Sequence, residues 1–284
     1  MVLPAHPSAH HARALRDGAT RSLLWRSLLL FLVAAVGAVV VVAATSILAL
    51  DGRPANLAET NGSISPFNSR RTRRYRSLPV HRSILAVDIE GSTRRTNPVK
   101  EELRDEVYRL VVEALCVTGI GNQHHDPFTD RGDGLLVLLH PVDEFPKPVL
   151  LSHLIPALAG LLAAYNNRIS AADQPRILRL RAVIHAGEVH RDGNGPFGED
   201  LDVAFRLLDA PRFKAELKNA TVPFALVASD YIYQSVIKHG YQGIDDQKYL
   251  PLVSVNVGDQ RRKGWVHLPP AGGISAVPPL PQAS

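Results

Sequence analysis

The sequence predicts an α+β domain between residues 81 and 268, built as one mixed sheet with helices packed on one face. Strand-like and helix-like patterns alternate through this range, which satisfies that fold class. Turn residues, chiefly glycine, proline and aspartate, separate the apolar runs. With 284 residues, 45% of them apolar, the chain is long enough to bury one substantial core.

The helix predicted over 98–118 has the clearest signal. Asn97 and Pro98 are typical of a helix start, and apolar residues recur at helical spacing from Leu103 to Leu115. The elements expected, in chain order, are a strand over 82–88, a helix over 98–118, a strand pair over 126–140, a helix over 148–168, a strand over 178–190, a helix over 199–209, a strand over 222–228, a helix over 229–239 and a hairpin near 250–268.

Two aspartates stand at predicted strand ends. Asp88 follows the apolar run 83–87, and Asp133 lies in a glycine-bracketed turn before the apolar run 135–139. If the two strands are neighbours, the carboxylates converge into a hard-oxygen site suited to Mg²⁺ or Mn²⁺. Such a site points to phosphoryl-transfer chemistry. The alternative is that both are turn aspartates of structural use only, since aspartate favours turns.

The first 80 residues differ in charge from the rest of the chain. They hold ten arginines and three acidic residues, a net charge of +7, whereas residues 81–284 hold 22 basic and 24 acidic residues. The basic pI therefore comes from this arm. It indicates contact with anionic lipid, or a solvated tether, more than a nucleic-acid-binding fold, and we expect no nucleic-acid partner.

Residues 28–50 are uncharged and mostly aliphatic, and a helix of ~20 apolar residues crosses a bilayer. We predict one transmembrane helix here, after a basic segment (1–27) and before an Arg-rich linker (51–80). A cleaved signal peptide is the alternative, although its apolar region usually has about 7–15 residues. A second alternative is a start site assigned too far upstream, with a soluble cytoplasmic chain beginning near Tyr75. The flanking arginines leave the orientation of the helix in the membrane open.

The proline-rich residues 269–284 are predicted to be a disordered tail.

Four further patterns have structural interpretations. Cys116, the only cysteine, is predicted to be a small buried apolar residue, and His185 a packing residue on an apolar strand. Residues 124–126, His-His-Asp, are predicted to be a loop and not a metal site, because consecutive residues do not converge. Residues 193–198 match the dinucleotide fingerprint, but they follow four strands instead of opening the first βα turn, which argues against a Rossmann fold.

Two further segments carry information. They read Arg-Ala-Val-Ile-His-Ala-Gly-Glu-Val over 181–189 and Gly-Glu-Asp-Leu-Asp-Val-Ala-Phe-Arg over 198–206. Together with Asp-Ile-Glu-Gly-Ser-Thr over 88–93 and Gly-Asp over 132–133, they resemble the motifs of class III adenylate and guanylate cyclase catalytic domains. The resemblance covers about residues 80–240, with the motifs in order and at plausible spacing. It implies a ferredoxin-like βαββαβ core.

The resemblance also implies an activity, a substrate, cofactors and a partner. Family members pair head to tail and convert a nucleoside triphosphate to a 3′,5′-cyclic nucleotide and pyrophosphate. Two Mg²⁺ or Mn²⁺ ions would be held by Asp88, the Ile89 carbonyl and Asp133 of one protomer. Arg206 of the other protomer would meet the charge that develops at the α-phosphate. The backbone N–H groups of the turn would face the polyphosphate; its residues are Gly91, Ser92 and Thr93. A nucleotide substrate would require the domain to lie in the cytoplasm.

The chain departs from the family at the positions that choose the base. Thr129 stands where lysine or glutamate is usual, Gly195 stands where aspartate, threonine or cysteine is usual, and Asp202 replaces an asparagine. The extra carboxylate of Asp202 could bond a ribose hydroxyl or repel phosphate. The base is therefore left open among A, G, C and U.

Three alternatives remain at this point. The domain could be a catalytically silent nucleotide sensor or scaffold at the membrane. Arg206 could be a surface arginine paired with Asp202 or Asp209, which lie at helical spacing from it. A phosphohydrolase or a diguanylate-type cyclase on a similar sheet is weaker, because the paired acidic turn motif of the latter is not present.

Overall fold

A computed structural model of the chain describes residues 78–241 and 243–270, and eight strands within them form one sheet. The predicted segments 1–27 and 28–50, most of the linker 51–80 and most of the tail 269–284 lie outside the described residues. The strands are β1 (Val80–Ile89), β2 (Thr129–Asp130), β3 (Gly134–Leu139), β4 (Leu180–Asp192), β5 (Gly195–Phe197), β6 (Phe224–Ser229), β7 (Leu250–Val257) and β8 (Gln260–His267).

The helices of the described residues match the prediction with one addition. They are α1 (Asn97–Val117), α2 (Lys147–Asn166, with a π-helical turn over Leu150–Leu154), α3 (Glu199–Leu208), α4 (Pro211–Asn219) and α5 (Asp230–Ser235). The additional helix, α4, was not predicted; its only buried residues are Phe213 and Leu217. The predicted helix over 229–239 is shorter than expected, because Val236 leaves helical geometry and a 3₁₀ turn follows.

The strand order is β2-β3-β1-β4-β6-β8-β7, with β5 paired to the end of β4. β1 lies in the centre, antiparallel to both β3 and β4, whereas β4 and β6 are parallel. The predicted mixed sheet is therefore confirmed. The segment from β1 through α1, β2, β3 and α2 to β4 has the order of a βαββαβ unit.

Helices cover both faces of the sheet, so the prediction of helices on one face only is wrong. On β1, Leu85 and Val87 pack into a core with α1 and α2, whereas Ile84 and Ala86 pack into a second core with α3 and α4. Successive strand side chains point to opposite faces. A strand that is apolar at every position, as β1 is over 84–87, has to be covered on both faces.

One individual prediction, on Cys116, is contradicted by packing. Cys116 is exposed on α1, which contradicts its predicted burial, because the buried stripe of that helix runs through Ala114 and Leu115 and leaves the next position outside. Within the described residues, Lys147–Asn166 is the one helix long and apolar enough to span a membrane. It packs against α1 in the larger core, where Leu158 and Leu162 are fully buried.

Candidate functional site

The two predicted metal-binding aspartates meet where β1 ends and β3 begins. Asp88 pairs in register with Gly134, and the Ile89 N–H donates to the Asp133 carbonyl at 3.1 Å. The two carboxyl groups are close enough for Asp133 to raise the pKa of Asp88. Gly134 allows this close approach, since a Cβ at that position would overlap the Val87 carbonyl oxygen.

The environment of Asp88 disfavours its charged form. Burial is the main reason that its pKa rises to about 6, and the neighbouring Asp133 carboxylate raises the pKa further, against the opposing effect of Arg181. Asp209, just beyond the end of α3, contributes in the same direction. The end of α3 therefore lies near the acidic pair of the same chain.

Arg181 occupies the position opposite Asp88 on β4, and the two side chains form an ion pair. The arginine is buried, with 8% of its surface exposed, and its Nε has no hydrogen-bond partner among the described residues. The sequence analysis assigned no role to Arg181. A signal was available, because an arginine directly before the apolar run 182–184 of a predicted strand is rarely buried without an acidic partner.

The side chains of Asp88 and Asp133 suit the binding of a divalent cation. Asp88 and Asp133 supply carboxylate oxygens on adjacent strands, the donors that Mg²⁺ and Mn²⁺ prefer. The described residues hold no group of three or more histidine, cysteine or acidic side chains that could ligate a metal. Ion binding here would therefore need further oxygens from solvent or substrate, and it would compete with Arg181 for Asp88.

The segment after β1 forms a tight turn before α1. Gly91 adopts a left-handed conformation with φ of +68°, and one 3₁₀ turn follows over Ser92–Arg94. Ser92 is buried and Thr93 is exposed. Arg95 holds the turn in place, since its guanidinium donates to the carbonyls of Glu90 and Ile177, each at 2.9 Å. The turn begins three residues after Asp88, and its phosphate-binding role stays a prediction.

Asp202 and Arg206 both lie on the exposed side of α3. Within residues 78–241 and 243–270, Arg206 forms no ion pair with Asp202 or Asp209, and Asp209 pairs with Lys214 at 2.9 Å instead. The surface-pair interpretation of Arg206 therefore has no contact to support it in this structure. Its neighbour on the helix, Phe205, stacks under the Arg131 guanidinium at 3.8 Å, which joins α3 to the Asp133 turn.

Thr129 and Gly195, the two positions predicted to select the base, lie on different strands far apart in the sheet. Thr129 is half-buried on β2, two strands from β1. Gly195 begins β5 and pairs with Asp192 at the opposite end of β4 from Arg181, roughly 35 Å away at about 3.3 Å per strand residue. The structure therefore does not bring Gly195 near Asp88 within one chain.

A second polar cluster is structural. The buried His185 bonds Ser229 Oγ through Nδ1 at 2.7 Å and Asp200 Oδ1 through Nε2 at 3.0 Å. Asp200 also accepts from the Glu188 N–H at 2.7 Å, and a Cβ on Gly187 would overlap its carboxylate. The histidine bond is the main reason that the pKa of Asp200 is lowered. The predicted packing role of His185 is confirmed.

The His-His-Asp segment over 124–126 was predicted to be a loop; His124 ends a 3₁₀ turn and His125 forms an isolated β-bridge with Leu139. Asp126 instead accepts two hydrogen bonds from the Arg82 guanidinium, at 3.1 and 3.2 Å, and lies 3.0 Å from His140 Nε2. Arg191 lies 3.4 Å from the same carboxylate. This cluster holds the start of β1 against the connection that leads into β2, at the other end of the sheet from Asp88.

The sequence matches no protein-family model and no curated protein. Solved structures that it is similar to include an adenylate/guanylate cyclase/hydrolase from Silicibacter pomeroyi, with 16% identity, a TM-score of 0.47, and coverage of 68% of this chain and 99% of that chain. The adenylyl cyclase CyaB from P. aeruginosa has 13% identity and a TM-score of 0.43, with 66% and 93% of the chains covered. The guanylyl cyclase domain of the RhoGC fusion protein from Blastocladiella emersonii has 14% identity and a TM-score of 0.42, with 66% and 96% covered. One fold hosts many functions, so the chemistry of this chain rests on its own residues.

Proposed function

We propose that this chain is a nucleotidyl cyclase, which converts a nucleoside triphosphate to a 3′,5′-cyclic nucleotide and pyrophosphate for signalling. The observation that carries the proposal is the meeting of Asp88 and Asp133 at the end of β1, beside the turn of Gly91. The resemblance of four segments to cyclase motifs supports the proposal; they are 88–93, 132–133, 181–189 and 198–206.

The reaction requires positioning and charge stabilisation more than covalent catalysis. The ribose 3′-oxygen forms a bond to the α-phosphorus, the bond from that phosphorus to the bridging oxygen breaks, and pyrophosphate leaves while the hydroxyl proton passes to solvent. Asp88, the Ile89 carbonyl and Asp133 would hold two Mg²⁺ or Mn²⁺ ions, which would stabilise charge on the attacking and leaving oxygens. The backbone of Gly91, Ser92 and Thr93 would bind the phosphate chain.

Arg206 would act from the second protomer of a homodimer. Its guanidinium is exposed and unpaired among the described residues, which suits a group that meets a partner's substrate. The charge that spreads over the α-phosphate in the transition state would be stabilised there. Asp202, one turn earlier on the exposed side of α3, would face the ribose.

The identity of the base is left open by Thr129 and Gly195. A half-buried threonine offers one hydroxyl, and glycine offers no side chain, so neither selects a purine in the usual way. We propose a nucleoside triphosphate as the substrate class without naming its base.

Membrane attachment through residues 28–50, with the domain on the cytoplasmic side, completes the proposal. The Arg cluster between residues 70 and 76 would lie against anionic headgroups. Carbonate extraction of membranes tests the attachment, since a spanning helix stays in the pellet and a peripheral chain is released.

The Asp88–Arg181 ion pair favours one alternative, a nucleotide sensor without turnover. In this structure Arg181 neutralises the carboxylate that an ion would need. To distinguish the cyclase from the sensor, the purified full-length chain in detergent is incubated with ATP, GTP, CTP or UTP and Mn²⁺. Mass spectrometry then detects any cyclic product. A cyclic product that is lost in Asp133→Ala supports the cyclase and names its base. Nucleotide binding with no product from any of the four supports the sensor.

A further inference from the structure

The helix that the sequence analysis missed, α4, is fixed directly beside the proposed active site. Phe213 and Leu217 anchor it, since both are fully buried in the second core. Arg179 then joins the helix to the turn after β1. Its Nε donates to the Glu90 carboxylate at 2.5 Å, and its Nη2 donates to the carbonyls of Leu217 and, at 3.2 Å, Ala220.

This anchoring directs two lysines toward the turn. Lys214 and Lys218 are four residues apart, so they lie on one face of α4, next to the face that Phe213 and Leu217 bury. They line a cavity of about 330 Å³ together with Glu90, Gly91, Arg94 and Arg181. The cavity adjoins the acidic pair, because Arg181 contacts Asp88 directly.

The cavity has an excess of positive charge. Four basic side chains line it, and the single acidic one, Glu90, is engaged by Arg179. Lys214 forms an ion pair with the exposed Asp209, whereas Arg94 and Lys218 form no ion pair within the described residues. Arg94 lies over the turn, with Nη2 3.5 Å from where a Cβ on Gly91 would stand.

Arg181 adds a buried positive charge to the wall of this cavity. The residue is more than nine-tenths buried, it lines the cavity, and its Nε finds no partner among the described residues. A buried cation is stabilised by a nearby negative charge, so this residue adds to the attraction of the cavity for an anion. Several cations around one cavity suit a ligand with several negative groups, and lysine binds phosphate as a point charge.

We propose that Lys214 and Lys218 of α4 are specificity-determining residues that bind the terminal phosphates of a polyphosphate ligand in this cavity. The inference rests on the proposed function in taking that ligand to be the triphosphate chain of the substrate. Lys214 leaves the exposed Asp209 when the ligand enters, and Lys218 gains its first charged partner. The pair would favour triphosphates over diphosphates and monophosphates, whichever base they carry.

Binding of inorganic tripolyphosphate to the full-length chain in detergent tests the inference without turnover. Isothermal titration calorimetry would compare the wild type with Lys218→Ala, Lys214→Ala and the double variant. The matched control is Lys238→Ala, which removes the same charge from an exposed lysine outside the cavity. We expect about tenfold weaker binding for each single variant, a larger loss for the double variant, and no loss for the control. Lys218→Arg should restore most of the affinity, since it keeps the charge.

Two further measurements distinguish whether the cavity binds the triphosphate of the substrate or the released pyrophosphate. If the cavity binds the released product, inorganic pyrophosphate binds as tightly as tripolyphosphate; if it binds the substrate chain, tripolyphosphate binds more tightly and loses more in the double variant. Where turnover is detected, the double variant should raise KM for the triphosphate more than it lowers kcat. Thermal unfolding without ligand confirms that each variant is folded.

The result that overturns the inference is wild-type tripolyphosphate affinity in a folded double variant, and this holds whether or not the chain proves to be a cyclase. Conversely, the chain could bind tripolyphosphate through the two lysines and yet form no cyclic product from any nucleotide. That result would support the phosphate-binding role of the lysines and refute the proposed cyclase reaction. The two failures are thus distinguishable.

Discussion

Asp88 and Arg181 face each other across β1 and β4 and form an ion pair at the centre of the proposed active site. The pair gives Arg181 two competing partners, the carboxylate beside it and any anion in the adjoining cavity. A divalent cation on Asp88 would release the guanidinium toward the cavity, so that binding of cation and of polyphosphate would support each other. The ion pair therefore links the proposed metal ligands to the cavity beside α4.

Replacing the arginine tests how much the pair contributes to the folded state. Arg181→Gln leaves Asp88 buried beside Asp133 without its counter-charge, and we expect a loss of about 3 kcal/mol in the free energy of unfolding. Urea titration at pH 7 without divalent ions measures it. Mn²⁺ should restore more stability to this variant than to the wild type, since it supplies the missing charge. Equal gains in both proteins would contradict competition between Arg181 and the ion.

Removing the like charge at the site should stabilise the ion-free protein. In Asp133→Asn the Asp88 carboxylate loses its acidic neighbour, and we expect a gain of about 1 kcal/mol at pH 7 together with loss of stabilisation by Mn²⁺. The control is Asp130→Asn in the same loop. Asp130 is paired with Arg104 at 2.6 Å and with Tyr108, so this change should lower stability slightly and leave the Mn²⁺ effect intact. Thermal melts with and without Mn²⁺ distinguish the three proteins, which are the wild type and the two variants.

The His185–Asp200 contact predicts a pH dependence. The pKa of Asp200 is lowered by its bond to His185, so the folded chain holds this carboxylate ionised below the ordinary value of 3.8. Its stabilisation is therefore present above pH ~4 and is lost as the pH falls through the lowered folded pKa. We expect Asp200→Ala to cost about 2 kcal/mol at pH 7 and much less near pH 3. A pH-independent difference between variant and wild type in urea melts would refute this origin.

Sharing of the active site between two protomers has a direct complementation test. Asp88→Ala and Arg206→Ala chains should each be inactive alone, whereas a dimer of one of each regenerates one intact site of two. We expect up to half of the wild-type rate per mixed dimer. Two affinity tags used in sequence isolate the mixed dimer for mass-spectrometric assay. The proximity of Asp209 to Asp88 in one chain makes the other outcome informative, because no recovery would place Arg206 in the site of its own chain.

Gly134 should be required for the acidic pair to form. A Cβ there would overlap the Val87 carbonyl, so Gly134→Ala has to separate β3 from β1, and we expect a cost of about 2 kcal/mol and loss of Mn²⁺ binding. Gly193→Ala is the matched control, since nothing lies within 4 Å of its added Cβ and its φ is not in the left-handed region. Urea denaturation and Mn²⁺ titration should show no change for the control. Wild-type stability in Gly134→Ala would mean that the strands tolerate the added methyl group.

Several features were predictable because they depend on neighbours in the sequence. The apolar run before Asp88 predicted β1, and the start at Asn97 with helical spacing to Leu115 predicted α1, each to within two residues. The glycine-bracketed turn at Asp133 likewise predicted the start of β3. α4 escaped the same reasoning, since two apolar residues, Phe213 and Leu217, are too few to define a helical stripe.

The sequence by itself determined where strands and helices form and that two aspartates stand at strand ends, because hydrophobic periodicity and turn chemistry act over a few residues. Only the tertiary structure decided that β1 lies between β3 and β4, which brings Asp88 against Asp133 on one side and Arg181 on the other. Only packing on the second face of the sheet placed Lys214 and Lys218 beside them. These pairings join residues 45 to 130 positions apart, and they follow from burying a sheet that is apolar on both faces, which no local pattern contains.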